Sequence, residues 1–183
     1  MNIQKSSQAA AFFLLEESRM PVLKLMKLLY ISDRKSLSEY GYPITLDKMV
    51  SMPHGPVLSG IYDLINNTDP DSYWNHLISD RKDHNVSLKN SVKVEDLQEL
   101  SKADLEILQN VWDSFGHMDQ WELSDYTHDN FKEWKDPCGS AYPISFSDVL
   151  KEVGYDDNEA IELDKEINGL ISVNNQFKSI GLC

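Results

Sequence analysis

Residues 21–65, PVLKLMKLLYISDRKSLSEYGYPITLDKMVSMPHGPVLSGIYDLI, hold the longest helical apolar pattern in the chain, with clear punctuation at each end. Pro21 has a fixed φ and no N–H, which suits a first helical turn, and Gly41 offers the left-handed residue that ends helices, so a helix is predicted over 21–40. Val22, Leu25, Met26 and Leu29 recur at helical spacing, while Leu23, Tyr30 and Leu37 carry the stripe beyond one face. A helix that apolar must be covered on several sides, and the rest of the chain reads as packing around it. Gly55-Pro56-Val57 reads as the start of a second helix, with Pro56 in its first turn and Val57, Leu58, Ile61, Tyr62 and Ile65 on its buried side.

The flanking segments supply that cover. Ser6 or Ser7 can cap a first helix running to about Arg19. Lys48 to Met52 suits a short strand, and Asn66 to Pro70 breaks the chain. Tyr73 to Ser79 and Asn85 to Leu88, joined by the polar run from Asp80 to Asp83, read as a hairpin, with Val92 to Val94 a further strand. Ser101 and Asp104 form a capping-box pattern before Leu105, Leu108, Trp112 and Phe115, with Gly116 as the stop. Asp119 can cap WELSDYTHD, which gives way to the loop FKEWKDPCGSAYP. Ser145 opens a short helix ending at Gly154, and Asp157 or Asn158 opens an acidic last helix. The expected fold class is mainly α (α+β): a compact helical domain around a central helix, with a small antiparallel β-hairpin or sheet.

At 183 residues one core is expected, with residues 1–155 forming the domain and 156–183 an acidic helix and tail packed on it. Hydrophobic residues at 41% and charged residues at 26% are globular values, and no run is long enough to span a bilayer. Glu16 and Glu17 stand where a signal peptide carries small residues, so a cytoplasmic protein is expected. Cys138 and Cys183 build neither a disulfide framework nor a metal knuckle. The net charge of −13 is uneven: residues 1–60 hold 7 Lys/Arg and 5 Asp/Glu, leaving 10 and 25 for the remainder. Phosphate backbones repel such a surface, which argues against nucleic acid as partner and leaves either solubility or attraction to a basic protein.

Catalytic chemistry needs groups that converge. The five His are scattered, none in an i, i+4 zinc pair, and no metal or cofactor is expected. The nearest constellation is Thr127-His128-Asp129 with Glu133 and Asp136, in which a carboxylate could orient His128 as a general base; a His and Trp holding a loop to a helix end is the commoner outcome. Gly55-Pro56 resembles an anion cradle, yet Pro56 deletes a donor, so a sharp turn is the expected role. Lys24 and Lys27 are expected to meet Asp33 or another acidic group, or to pack their stems with their heads in water. Trp134 reads as a lid over the core ahead of an interface anchor.

Lys24, the run Lys27-Leu28-Leu29-Tyr30, Gly41, Pro43, Gly55-Pro56-Val57, Tyr62, Leu123-Ser124, Thr127-His128 and Trp134-Lys135 together resemble the Panacea domain of SocA-like antitoxins and GepA-like proteins over about residues 20–150. The order of these pieces carries the resemblance. Asp33-Arg34-Lys35 and Ser51-Met52-Pro53-His54 depart from the family's pattern. The resemblance implies a non-catalytic antitoxin that binds and neutralises a cognate toxin protein encoded by an adjacent gene. The family's founding member also delivers its toxin to a ClpXP-type protease. It implies candidate partner-binding residues at Tyr30, His54, Gly55, Pro56, Tyr126, His128 and Trp134. The alternatives are a phage- or island-associated binding or regulatory protein without catalysis, a DNA-binding regulator, and a hydrolase using His128.

Overall fold

The computed structural model describes residues 1–66, 72–79, 81–89 and 91–179. Helix α1 (Ile3–Glu16) leads through strand β1 (Arg19–Pro21) into α2 (Val22–Tyr40), and a hairpin of β2 (Met49–Met52) and β3 (Gly55–Leu58) runs into α3 (Ser59–Asn66). Then come α4 (Tyr73–Leu77), β4 (Asn85–Ser87), a 3-10 turn at Val94–Asp96, α5 (Lys102–Phe115), α6 (Gln120–Asn130), β5 (Tyr142–Ile144), α7 (Phe146–Glu152) and α8 (Asp157–Ser179). The fold is mainly helical, with small antiparallel sheets.

Helix α2 lies at the centre and packs against α1, α3, α5, α6, α7 and β3. Leu25, Leu28, Leu29, Tyr30 and Leu37 are removed from solvent, and burial of each such side chain contributes about 2 kcal/mol. Pro21 stands just before the helix, and Gly41 ends it at φ +73°, donating its N–H to the Leu37 carbonyl. Strand β2 is the middle of the three-stranded sheet, with Ser51 opposite Pro56 in β3 and Tyr142 in β5. Strands β1 and β4 form a second pair, with Met20 opposite Val86.

Several expectations are corrected by local hydrogen bonding. Helix α1 begins at Ile3 because the Asn2 side chain accepts the Lys5 N–H, which leaves Ser6 and Ser7 buried inside it; it ends at Glu16, and Arg19 belongs to β1. Gly55-Pro56 opens a strand rather than a helix. Helix α3 starts at Ser59, where the Asp47 carboxylate takes the N–H groups of Gly60 and Ile61. The stretch expected as a strand from Tyr73 is helix α4, capped by Ser72 and turning Trp74 into the core. Asn85 to Ser87 therefore pairs with β1, and the bridges Ile78 to Leu88 and Lys82 to Asn85, with the Ser79 N–H on the Ser87 carbonyl, are what remains of the expected hairpin. Asp96 accepts the Lys93 N–H and tightens the expected third strand into the 3-10 turn. Strand β5 lies in the stretch read as loop, paired to β2. Most of the break at Asn66 to Pro70, residue 80 of the polar turn, and Cys183 lie outside the described residues; Cys138 is an exposed thiol.

The helices α5, α6 and α7 begin with the capping boxes of Ser101, Asp119 and Ser145, and Asp156 caps α8 by accepting from the N–H groups of Asn158 and Glu159. Helix α8 packs on α7 through buried Ala160, Ile167 and Ile171, and its Leu163 lies beside Gly41. No helix among the described residues is long and apolar enough to cross a membrane.

Candidate functional site

The β2–β3 hairpin is held from behind by polar side chains of α2 and α6 and of the segment that follows α6. Lys27 is fully buried, and its Nζ donates to the Pro56 carbonyl at 2.8 Å. Its ammonium is neither in water nor on a carboxylate, contrary to the expectation, and burial lowers its pKa to about 7. Ser124 Oγ donates to the His54 carbonyl at 3.0 Å, and Trp134 Nε1 donates to the Met52 carbonyl at 3.0 Å. The hairpin tip thus receives three side-chain donors, on the carbonyls of Met52, His54 and Pro56, in place of the water that an exposed turn would recruit. Gly55 sits at φ +93°, and a Cβ there would fall 2.6 Å from Thr127 Oγ1, 2.7 Å from Lys27 Nζ and 3.2 Å from His128 Nε2. Only glycine meets both the conformation and the space.

A second network locks the loop after α6. Tyr30 donates its hydroxyl to Glu133 Oε1 at 3.2 Å, and Arg34 Nε donates to the same oxygen at 2.8 Å. The guanidinium lies over Phe131, 4.2 Å from the ring centre. Burial, then the Glu133 charge, pushes the Tyr30 phenol well above its ordinary value. On the far side of α2, Asp33 accepts the N–H and hydroxyl of Thr45, and burial raises its carboxyl to about 7. Lys24 pairs with Glu17 at 2.6 Å and donates to the Gly116 carbonyl at 2.7 Å, over Trp112.

Many of the residues that carried the resemblance come together in space: Lys27 and Tyr30 from α2, Gly55 and Pro56 from β3, Ser124, Thr127 and His128 from α6, and Trp134 beyond it, while Lys24 and Gly41 lie elsewhere, at Gly116 and Leu163. A sequence model of the antitoxin SocA-like, Panacea domain matches residues 25–135, more than half of the chain. The chain belongs to this family. No curated protein and no solved structure matches it. The Panacea match runs from α2 to the Trp134 loop, so it spans the whole clamp on the hairpin and stops short of β5, α7 and α8.

In this Panacea domain the seven candidate contact residues divide by burial. Tyr30, Gly55 and Pro56 are buried, Tyr30 on Glu133 and the other two within the hairpin itself. Tyr126, His128 and Trp134 are half-buried: Tyr126 packs on Phe115 and Phe131, and the His128 ring stacks on Trp134 with centroids 4.0 Å apart. His54 is exposed and meets Trp121 edge-on. Burial, then the neighbouring Lys27 charge, holds His128 below its ordinary pKa, and its Nε2 has no hydrogen-bond partner among the described residues. Glu133, the carboxylate that would orient it in a general-base arrangement, is bound to Tyr30 and Arg34 instead. Among the described residues no group of three or more His, Cys, Asp or Glu could hold a metal ion.

In front of the hairpin tip lies an open groove of about 610 Å³. The start of α2 gives it Val22 and Met26, the hairpin gives Met52, Pro53, His54 and Gly55, and α3 gives Tyr62. Trp121 on α6 and the turn residues Arg81, Asp83 and His84 close the other side. Trp121 is 54% exposed and Tyr62 37%, large aromatic surfaces left uncovered. Tyr62, expected on the buried side of its helix, thus faces the groove, because α3 starts at Ser59 and gives Ile61 and Ile65 to the core. Sequence reading missed Trp121, Arg81 and His84 as surface. The available signal was Trp121 two residues after the Asp119 cap, a helical position that Leu123 and Thr127 do not share a face with.

Proposed function

We propose that this protein is an antitoxin that binds a toxin protein encoded beside it and neutralises it by direct contact, without turnover of a substrate. The match of residues 25–135 to the antitoxin SocA-like, Panacea domain carries the reading. The open groove supports it: uncovered aromatic side chains beside a braced turn are what a protein interface uses as anchors, and a net charge of −13 disfavours nucleic acid. Residues 1–155 act as the binding domain, α8 is an acidic appendage, and the site of action is the cytoplasm. Handing the toxin to a ClpXP-type protease is a further step of the same reading, with α8 available for it.

The test is growth of cells that express the neighbouring reading frame, with and without this chain. Toxicity alone and rescue on co-expression is the expected result, with a complex recovered from protease-deficient cells. A harmless neighbour with no complex refutes it. His128→Ala should rescue as the parent does; loss of rescue by a folded His128→Ala protein would instead favour chemistry at that histidine.

A further inference from the structure

We propose that the groove at the hairpin tip receives an apolar segment of the partner protein that carries an acidic side chain beside its apolar anchor. This deepens the antitoxin reading and rests on it for the partner's identity, though not for the chemistry of the segment. The floor is apolar, formed by Val22, Met26, Met52 and Val57, and Trp121 and Tyr62 stand open at its sides. Burying such aromatic faces is the commonest source of interface affinity.

The polar rim decides the sign of the ligand. Among the described residues, Arg81, His54 and His84 line the groove with one carboxylate, Asp83, which lies 3.7 Å from Arg19 and is partly neutralised by it. Arg81 donates to His84 Nδ1, which leaves the proton of a neutral His84 on Nε2 as a further donor. Among the described residues, Arg81 and Asp83 of the groove together with Arg19 beside Asp83 sum to a formal charge of +1, on a chain whose total is −13. An acidic segment would find here the cationic surface that most of the molecule denies it; a basic segment would be drawn to the rest of the molecule and repelled here.

The rim is also rigid. Asp83 and His84 both hold left-handed backbone, at φ +51° and +61°, clamped by reciprocal 2.9 Å hydrogen bonds between Lys82 and Asn85. This is the form of a two-residue hairpin turn, whose left-handed positions Asp and His adopt more readily than most residues. The opposite wall is the braced hairpin tip. Both walls are ordered before a ligand arrives, which limits the entropy lost on binding.

Two experiments test this. In the first, a phage-displayed library of random dodecapeptides is panned on the immobilised full chain. Enrichment of sequences pairing Leu, Ile, Phe or Trp with Asp or Glu is expected. Trp121→Ala and Arg81→Glu should each weaken the selected peptides by about tenfold or more, with binding of the parent falling as salt rises. Enrichment of Lys/Arg-rich peptides, or equal binding by both variants, overturns the proposal. In the second, both variants are tested for rescue from the neighbouring gene's product. Rescue by the parent but not by the folded variants supports the groove; equal rescue by all three overturns it while the antitoxin reading stands. Failure of the parent to rescue refutes the antitoxin reading alone, and the peptide result then decides the groove. A parent that sediments as a dimer, with Trp121→Ala monomeric, makes a second copy the occupant and also overturns the proposal.

Discussion

Lys27 should make this protein more stable as the solution turns alkaline, and replacing it with methionine should remove that dependence. An ordinary lysine titrates near 10.5, whereas burial brings Lys27 down to about 7. Between those values the unfolded chain holds a proton that the folded chain has released. Stability therefore rises with pH across the window, starting near 7 and levelling near 10.5. The whole span is worth about 5 kcal/mol at about 1.4 kcal/mol for each pKa unit. The part between pH 7 and pH 9 comes to about 2 kcal/mol, because Lys27 is still half protonated in the folded state at the start. Urea unfolding followed by circular dichroism at pH 7, 8 and 9 would measure it. Lys27→Met leaves the Pro56 carbonyl without a donor, at a cost of about 1 to 3 kcal/mol that is the same at every pH, so the difference in slope isolates the amine. Parallel profiles for parent and variant would refute the reasoning, since they would mean that the ammonium keeps its water in the folded protein.

Asp33 should act in the opposite direction and lower pH range. Its carboxyl is raised from 3.8 to about 7, so stability is fully present below about pH 4 and falls as pH rises to 7, by up to about 4 kcal/mol. Asp33→Asn, which keeps an acceptor for the Thr45 N–H, should flatten urea midpoints over that range. Gly55→Ala combines left-handed strain with a Cβ 2.6 Å from Thr127 Oγ1 and should cost about 2 to 4 kcal/mol, read as a fall in thermal midpoint. Glu133→Gln deprives Arg34 of its counter-charge and should cost about 3 kcal/mol, whereas the double change with Arg34→Met should recover part of the loss in a double-mutant cycle.

Elements with self-contained signals were legible in the sequence. Helices α2, α5, α6 and α7 carry their own caps and apolar period, and each begins within a residue or so of its expected place. The misreadings share a cause: the deciding partner is far away in sequence. Gly55-Pro56 has the local signature of a helix start, yet β2 pairs with it and Asp47 moves the helix start to Ser59. Tyr73 to Leu77 is rich in strand formers, but Ser72 caps it and the interior beside α1 takes Trp74. The polar clamp was equally opaque, because Lys27 and Pro56 are 29 residues apart and Tyr30 and Glu133 are 103 apart. Position in the chain predicts no such pairing, and a lysine or glutamate is ordinarily assigned to the surface.

Most of the family signature and most of the proposed contact surface occupy different layers of the same site, with Gly55 and Tyr62 belonging to both. Lys27, Tyr30, Gly55, Thr127 and Trp134 are buried or half-buried and are bound to hairpin carbonyls, to Glu133 or against one another, so most changes there are felt as lost stability before any partner is involved. Trp121, Arg81 and His84 lie on the open side, and their replacement disturbs little inside. A surface can then be altered toward a different partner without unmaking the turn that presents it, since surface substitutions usually change stability by only about 0.5 kcal/mol. The buried cation at Lys27 fits this division. An ammonium that gives up its proton near neutrality can hold the Pro56 carbonyl without demanding a buried carboxylate, which would have to be found among residues already engaged elsewhere. The hairpin is thereby fixed by the domain's own interior and needs no contact with a partner to take its shape.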